Sequence, residues 1–181
     1  VEAEGLSTNA LATTSITLAE LQKVAASQNI AFQRGDILFI RSGYGKAFSS
    51  LGNEEARSLV TQAAPPAIGV ESAEATLEWI WETGFAAVAG DMPSFEAWPC
   101  QNTKYFMHEW LLAGWGMPIG ELFDLERLAV ECRRRRKWTF FFSSMPLNVS
   151  YGTRSISDPF TNSWEQVPGG VASPPNGIAI L

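Results

Sequence analysis

His108 is the only histidine in a chain of 181 residues, and a carboxylate, Glu121, follows it after the Gly/Pro-containing run Trp115-Gly116-Met117-Pro118-Ile119-Gly120. Imidazole and carboxylate are the donors with which a protein begins a zinc or manganese site. A site of that kind needs at least three protein ligands, so the pair is a beginning only. His108-Glu109-Trp110-Leu111-Leu112 opens like the HExxH helix of zinc proteases, but Leu112 stands where the second histidine would be. Taken alone, one histidine on a partly apolar helix reads more readily as a hydrogen-bonded core residue than as a ligand. Two further polar clusters sit where chemistry is often placed. Arg41-Ser42-Gly43-Tyr44-Gly45 and Asp91-Met92-Pro93-Ser94 each follow a short apolar run, and residues just past strand ends line the crevices of open α/β sheets.

The elements that must carry these residues can be read from pattern. Thr17-Leu18-Ala19-Glu20 fits a capping box and predicts a helix to about Gln28. Ile37-Leu38-Phe39-Ile40, after the Gly35-Asp36 turn, is a continuous apolar run of strand length and predicts a strand covered on both faces. A polar helix is expected over 53–62, stopped by Pro65-Pro66. A second, capped by Ser72, runs through Leu77, Ile80 and Trp81 to a Gly84 stop. Residues 85–90 predict another buried strand, and 103–112 a helix with Tyr105, His108, Leu111 and Leu112 near one face. Asp124 is expected to cap a helix using Leu122, Leu125, Leu128, Ala129 and Cys132. Strands are predicted over 138–142 and 177–181. Strands alternating with helices give an α/β domain, treated as one unit over 1–181.

Composition narrows the partners. Hydrophobic residues make up 46% of the chain, enough for a sizeable core, and seven Trp with eleven Phe need burial in the fold, a pocket or an interface. A formal charge of −6 argues against nucleic acid or an anionic membrane as partner. The basic run Arg133 to Lys137 reads as the cationic last turn of a helix, where it offsets the negative end of the dipole. Cys100 and Cys132 form no CxxC pair and read as two free thiols rather than a disulfide. No apolar run approaches the ~20 residues of a membrane span, and the start lacks the layout of a signal peptide. A cytoplasmic protein is therefore expected. Asn148-Val149-Ser150 matches a glycosylation sequon, read as chance without a secretory signal. Three strongly apolar strands and seven Trp that need cover lead to an expected homo-oligomer, a dimer or higher.

Several long segments in order carry a resemblance. They are 16–21, 35–43, the stretch Phe85-Ala86-Ala87-Val88-Ala89-Gly90-Asp91-Met92-Pro93-Ser94-Phe95-Glu96-Ala97-Trp98, the segment from His108 to Glu121, and 170–176. Together they resemble the cyclase family that includes bacterial kynurenine formamidase, and its fungal branch in particular. The resemblance implies a swivelling β/β/α-like domain with a mixed sheet and flanking helices. It implies His108 and Glu121 as metal ligands, and a substrate pocket walled by Arg41, Tyr44, Asp91, Ser94, Phe95 and Trp98. It implies a divalent ion, zinc or manganese, in complete relatives, held weakly or not at all here. The family signature HxGTHxDxPxH, which supplies most metal ligands and an acid/base histidine, has no counterpart in this sequence. The chain is accordingly expected to be the C-terminal portion of such a protein. A second departure is residues 149–166, which intervene where the family runs on directly. They read as a loop insertion or as a retained, in-frame fungal intron, since Val149-Ser150, Thr161-Asn162 and Gln166 can be encoded by donor, branch-point and acceptor signals.

The activity implied by the resemblance is metal-dependent hydrolysis of a C–N amide or ester bond in a small substrate, aromatic ones among them. The alternative is a non-catalytic binding or structural subunit keeping an aromatic pocket around Tyr44, Phe95, Trp98 and Trp115. A third reading, a metal-independent lyase or isomerase with Asp91 or Glu96 as base, rests on the carboxylates alone.

Overall fold

The computed structural model describes residues 9–145 and 176–181. The chain divides into two compact units, Val1–Trp138 and Thr139–Leu181. Residues 149–166, the insertion of the sequence reading, lie outside the described residues.

In the first unit, β1 (Ser15–Ile16) pairs in parallel with β3 (Gly69–Val70). A three-stranded parallel sheet has the order β2 (Ile37–Ile40), β4 (Ala87–Gly90), β5 (Ile119–Gly120), with β4 in the centre. Residues 87–90 match the predicted strand less its first two residues. β4 is covered as expected, with Val88 and Ala89 buried. β2 departs from its reading. Leu38 and Ile40 enter the core, but Ile37 is exposed and Phe39 is half-buried edge-on against Phe123. The face of β2 that carries Leu38 and Ile40 is buried, and the face that carries Ile37 and Phe39 is only partly covered.

The helices flank these strands. α1 (Leu18–Ser27) starts with the predicted capping box: Thr17 Oγ1 accepts from the Glu20 amide, and Glu20 accepts from the Thr17 amide. α2 is Tyr44–Ser49, α3 is Asn53–Val60, and α4 is Glu74–Thr83, ended by Gly84 in the left-handed region at φ 73°. Ser72 does not cap α4. Ala73 holds the cap position without a side-chain bond, and the Ser72 hydroxyl faces the Cys100 thiol instead.

The segment 103–112 is not one α-helix. A short 3-10 turn, Thr103–Tyr105, is capped by the Asn102 side chain, and Phe106 is extended. A π-helical turn, Glu109–Gly114, follows and closes through Trp115 N to Trp110 O at 2.9 Å. The wider turn changes which residues share a face, so Leu111 is fully buried while Leu112, expected beside it, is exposed.

At the start of α5 (Glu126–Arg135) Leu125, not the expected Asp124, holds the cap position without a side-chain bond, and Asp124 one residue earlier accepts from the Glu126 amide at 3.2 Å. Leu125 and Cys132 are buried, and Leu122 lies outside the helix, exposed. Arg134 and Arg135 in its last turn pair with Glu131, in line with a solvated helix end. Both cysteines are free.

The core of this unit gathers Leu38, Ile40, Val70, Leu77, Ile80, Val88, Phe95, Met107 and Leu111. In the second unit β6 (Phe141–Met145) and β7 (Asn176–Ile180) pair antiparallel. Both strands were expected, β6 three residues earlier than it lies. Among the described residues, no helix is long and apolar enough to cross a membrane.

Candidate functional site

The site forms beyond the C-terminal ends of β4 and β5, where three side chains meet. The first comes from the segment after β4. That segment runs beside β3, with Val70 N donating to Phe95 O at 2.8 Å and Ala97 N donating to Val70 O at 3.0 Å. Trp98 and Ala67 exchange backbone bonds one step further on. A side chain at Gly69 would overlap the Glu96 carbonyl, so this approach requires glycine. Pinned in this way, Glu96 turns its carboxylate inward and is 0% exposed.

The second is His108, held between the fully buried Met107 and Leu111. Its Nδ1 lies 2.8 and 2.9 Å from the two carboxylate oxygens of Glu96. The third is Glu121, one residue past β5. Its Oε1 accepts the Phe95 N–H at 2.8 Å and lies 3.3 Å from His108 Nε2. The chain reverses immediately after it. Leu122 sits in the left-handed region at φ 55°, its N–H donating to Met92 O and that of Phe123 to Gly90 O. The Phe123 ring fills the space a side chain at Gly120 would need.

His108 is thus an imidazole gripped at both nitrogens, with its side chain 30% exposed and that of Glu121 28%. Hydrogen bonding to Glu121 and then to Glu96 raises its pKa from the ordinary 6.5 to about 10, against an opposing push from burial. The shorter contacts are those to Glu96, the partner removed from water. At neutral pH the ring is an imidazolium between two carboxylates. In that state it can donate a proton from Nε2 and cannot accept one.

The residues read as pocket walls fall into two sets. Phe95 joins the site through its backbone, its ring being wholly in the core. Trp98 approaches through Phe106, whose ring lies 6.3 Å from Trp98 and 5.7 Å from the His108 ring. Ser94 is buried, and its Oγ has no hydrogen-bond partner among the described residues. Asp91, Arg41 and Tyr44 serve the β2–β4 end. The Asp91 carboxylate accepts from Ser42 N (2.6 Å), Ser42 Oγ (2.7 Å) and Gly43 N (2.8 Å), clamping the loop after β2. Arg41 makes a two-pronged pair with Glu126 at 2.8 and 2.9 Å. Tyr44 is buried and stacks on Phe48, and burial pushes its hydroxyl pKa up. A separate open groove of about 480 Å³, between Leu11, Leu51 and α3, contains none of these residues.

A family model described as Cyclase matches residues 4–97. The chain belongs to the Cyclase family. The matched part holds β1 to β4, Asp91, Ser94 and Glu96, and ends before His108 and Glu121. A solved structure titled as that of a novel cyclase is 30% identical and superimposes with a TM-score of 0.76. That match covers 100% of this chain and 50% of the other, so this chain spans about half the length of the cyclase it matches. A search of curated proteins found no match.

Sequence reasoning did not assign Glu96 as the partner of His108; it offered it only as a conceivable base. Full burial with both oxygens on one imidazole nitrogen occupies it otherwise. The available signal was its place just past a buried strand, two residues beyond Ser94, the region where α/β sheets gather polar groups.

Proposed function

We propose that this chain carries part of the centre of a metal-dependent cyclase or amidohydrolase, acting on C–N amide or ester bonds of small substrates, aromatic ones among them, as in the kynurenine formamidases it resembles. The observation that carries the reading is the 3.3 Å separation of His108 Nε2 and Glu121 Oε1 beyond the ends of parallel strands in a chain of this family. Two donors on one tetrahedral ion, each at about 2.0–2.1 Å, stand roughly 3.3 Å apart. The pair therefore fits two corners of a zinc or manganese site. The number of donors does not fit a whole one. Among the described residues no group of three or more His, Cys, Asp or Glu could hold an ion, and catalytic ions have three protein ligands.

When bound, a divalent ion supplies carbonyl polarisation and a more acidic water. The chain's own part is to present Nε2 and Oε1 toward it. His108 must first give up its Nε2 proton, so affinity rises with pH. The Phe106 ring 5.7 Å from the imidazole, with the Trp98 ring 6.3 Å from Phe106, suits an aryl substrate. The donor count favours a second reading, a non-catalytic binding subunit of the same fold.

The test is hydrolysis of an aryl formamide and an aryl ester with zinc or manganese, by the chain alone and by the chain supplemented with an HxGTHxDxPxH segment. Metal-dependent turnover by the supplemented chain, abolished by His108→Ala or Glu121→Ala, supports the enzyme. Neither ion binding nor turnover in the supplemented chain overturns it and supports the binding subunit.

A further inference from the structure

We infer that Glu96 is the positioning residue of this site: it fixes Nδ1 of His108 as the donor nitrogen and so selects Nε2 as the nitrogen presented beside Glu121. The inference deepens the reading above and rests on it for the identity of the ion, though not for the geometry. Both oxygens of Glu96 approach the same nitrogen at 2.8 and 2.9 Å, and the residue is 0% exposed. An imidazole has two nitrogens of similar donor strength, and the hydrogen bond at one decides which is free for a ligand. Here a fully desolvated carboxylate takes Nδ1, a 28%-exposed carboxylate faces Nε2, and the ring cannot flip without stranding Glu96.

The backbone shows how Glu96 is kept in place. Phe95 and Ala97, its chain neighbours, are bonded to Val70 on β3, and Gly69 allows the close approach. Phe95 also donates to Glu121, so the two carboxylates that address opposite nitrogens are tied to one backbone segment. The orientation of His108 and the place of Glu121 are therefore set together.

The experiment is NMR on the ¹⁵N-labelled chain, whose single histidine gives one unambiguous set of ring signals. In the metal-free wild type a slowly exchanging, downfield ring N–H is expected on Nδ1. In Glu96→Gln, isosteric but uncharged, it should persist and move upfield; in Glu96→Ala it should exchange away while circular dichroism stays native. In the chain supplemented with the HxGTHxDxPxH segment, zinc should then bind at Nε2, about tenfold or more weakly in Glu96→Gln, and at both nitrogens in Glu96→Ala. A merely structural glutamate would alter stability but not the choice of nitrogen. An Nδ1 signal unchanged in Glu96→Gln overturns the inference even if Glu96→Ala fails to fold, as does metallation of the wild type at Nδ1. A wild type that takes up no zinc agrees with its two-ligand site, the metal-centre reading falls only if the supplemented chain takes up none, and the metal-free arms decide the role of Glu96 in either case.

Discussion

Replacing His108 with alanine removes the imidazole that, among the described residues, is bonded to both oxygens of a carboxylate with 0% exposure. The imidazole meets both oxygens of Glu96, which is 0% exposed, and also touches Glu121, which is 28% exposed and keeps its bond from the Phe95 amide. The two losses differ in weight. Stripping one member from a buried ion pair costs about 3–5 kcal/mol, whereas a partly exposed pair contributes about 0–1 kcal/mol. His108→Ala is therefore expected to destabilise the chain by about 3–5 kcal/mol, nearly all of it through Glu96. Glu96→Gln retains an acceptor for Nδ1 and should cost less. In the double variant the stranded charge is absent, and its cost should fall short of the sum of the single changes by about 2–3 kcal/mol. The assay is urea unfolding of the four proteins at pH 7 followed by tryptophan fluorescence. A cost under about 1 kcal/mol for His108→Ala, or additivity across the cycle, refutes the reasoning, because it would mean that Glu96 finds water or another partner.

Three further outcomes follow. Because hydrogen bonds to Glu121 and Glu96 raise the His108 pKa from 6.5 to about 10, its stabilising contribution is complete below pH 6.5 and is lost as pH rises through about 10. The urea midpoint should thus decline between those values more steeply in the wild type than in His108→Gln, and parallel profiles would contradict it. Leu122 is 63% exposed at φ 55°, so Leu122→Gly sheds left-handed strain at little burial cost and should stabilise by about 0.5–1 kcal/mol in thermal unfolding; a lower melting temperature would count against strain at that turn. Dialysis at neutral pH should leave the chain substantially metal-free by elemental analysis, since two ligands do not enclose an ion, and stoichiometric retained zinc or manganese would show a further ligand.

Local pattern fixed a good deal of this architecture before any tertiary contact entered. The capping box at Thr17 and Glu20, the Gly84 stop of α4 and the apolar runs of β2 and β4 depend on residues within one or two turns of each other, and each appears where the sequence put it, β4 shorter by its first two residues. His108 and Glu121 stood out by chemical type, and the family by the order of several long matches. The π-turn at 109–114 was not legible, because a hydrogen bond one residue longer than α-helical leaves the local composition unchanged and is decided by which leucine the core accepts. Nor was the Glu96–His108 pair. It exists because β3 aligns the segment after β4, because Gly69 lets that segment come close, and because the Leu122 reversal turns Glu121 back to the other side of the ring. Residue type determined which side chains could hold a proton or an ion; the parallel order β2-β4-β5, with β3 alongside, decided that a buried carboxylate would face Nδ1 and a partly exposed one Nε2, since burial and mutual approach are properties of the packed chain.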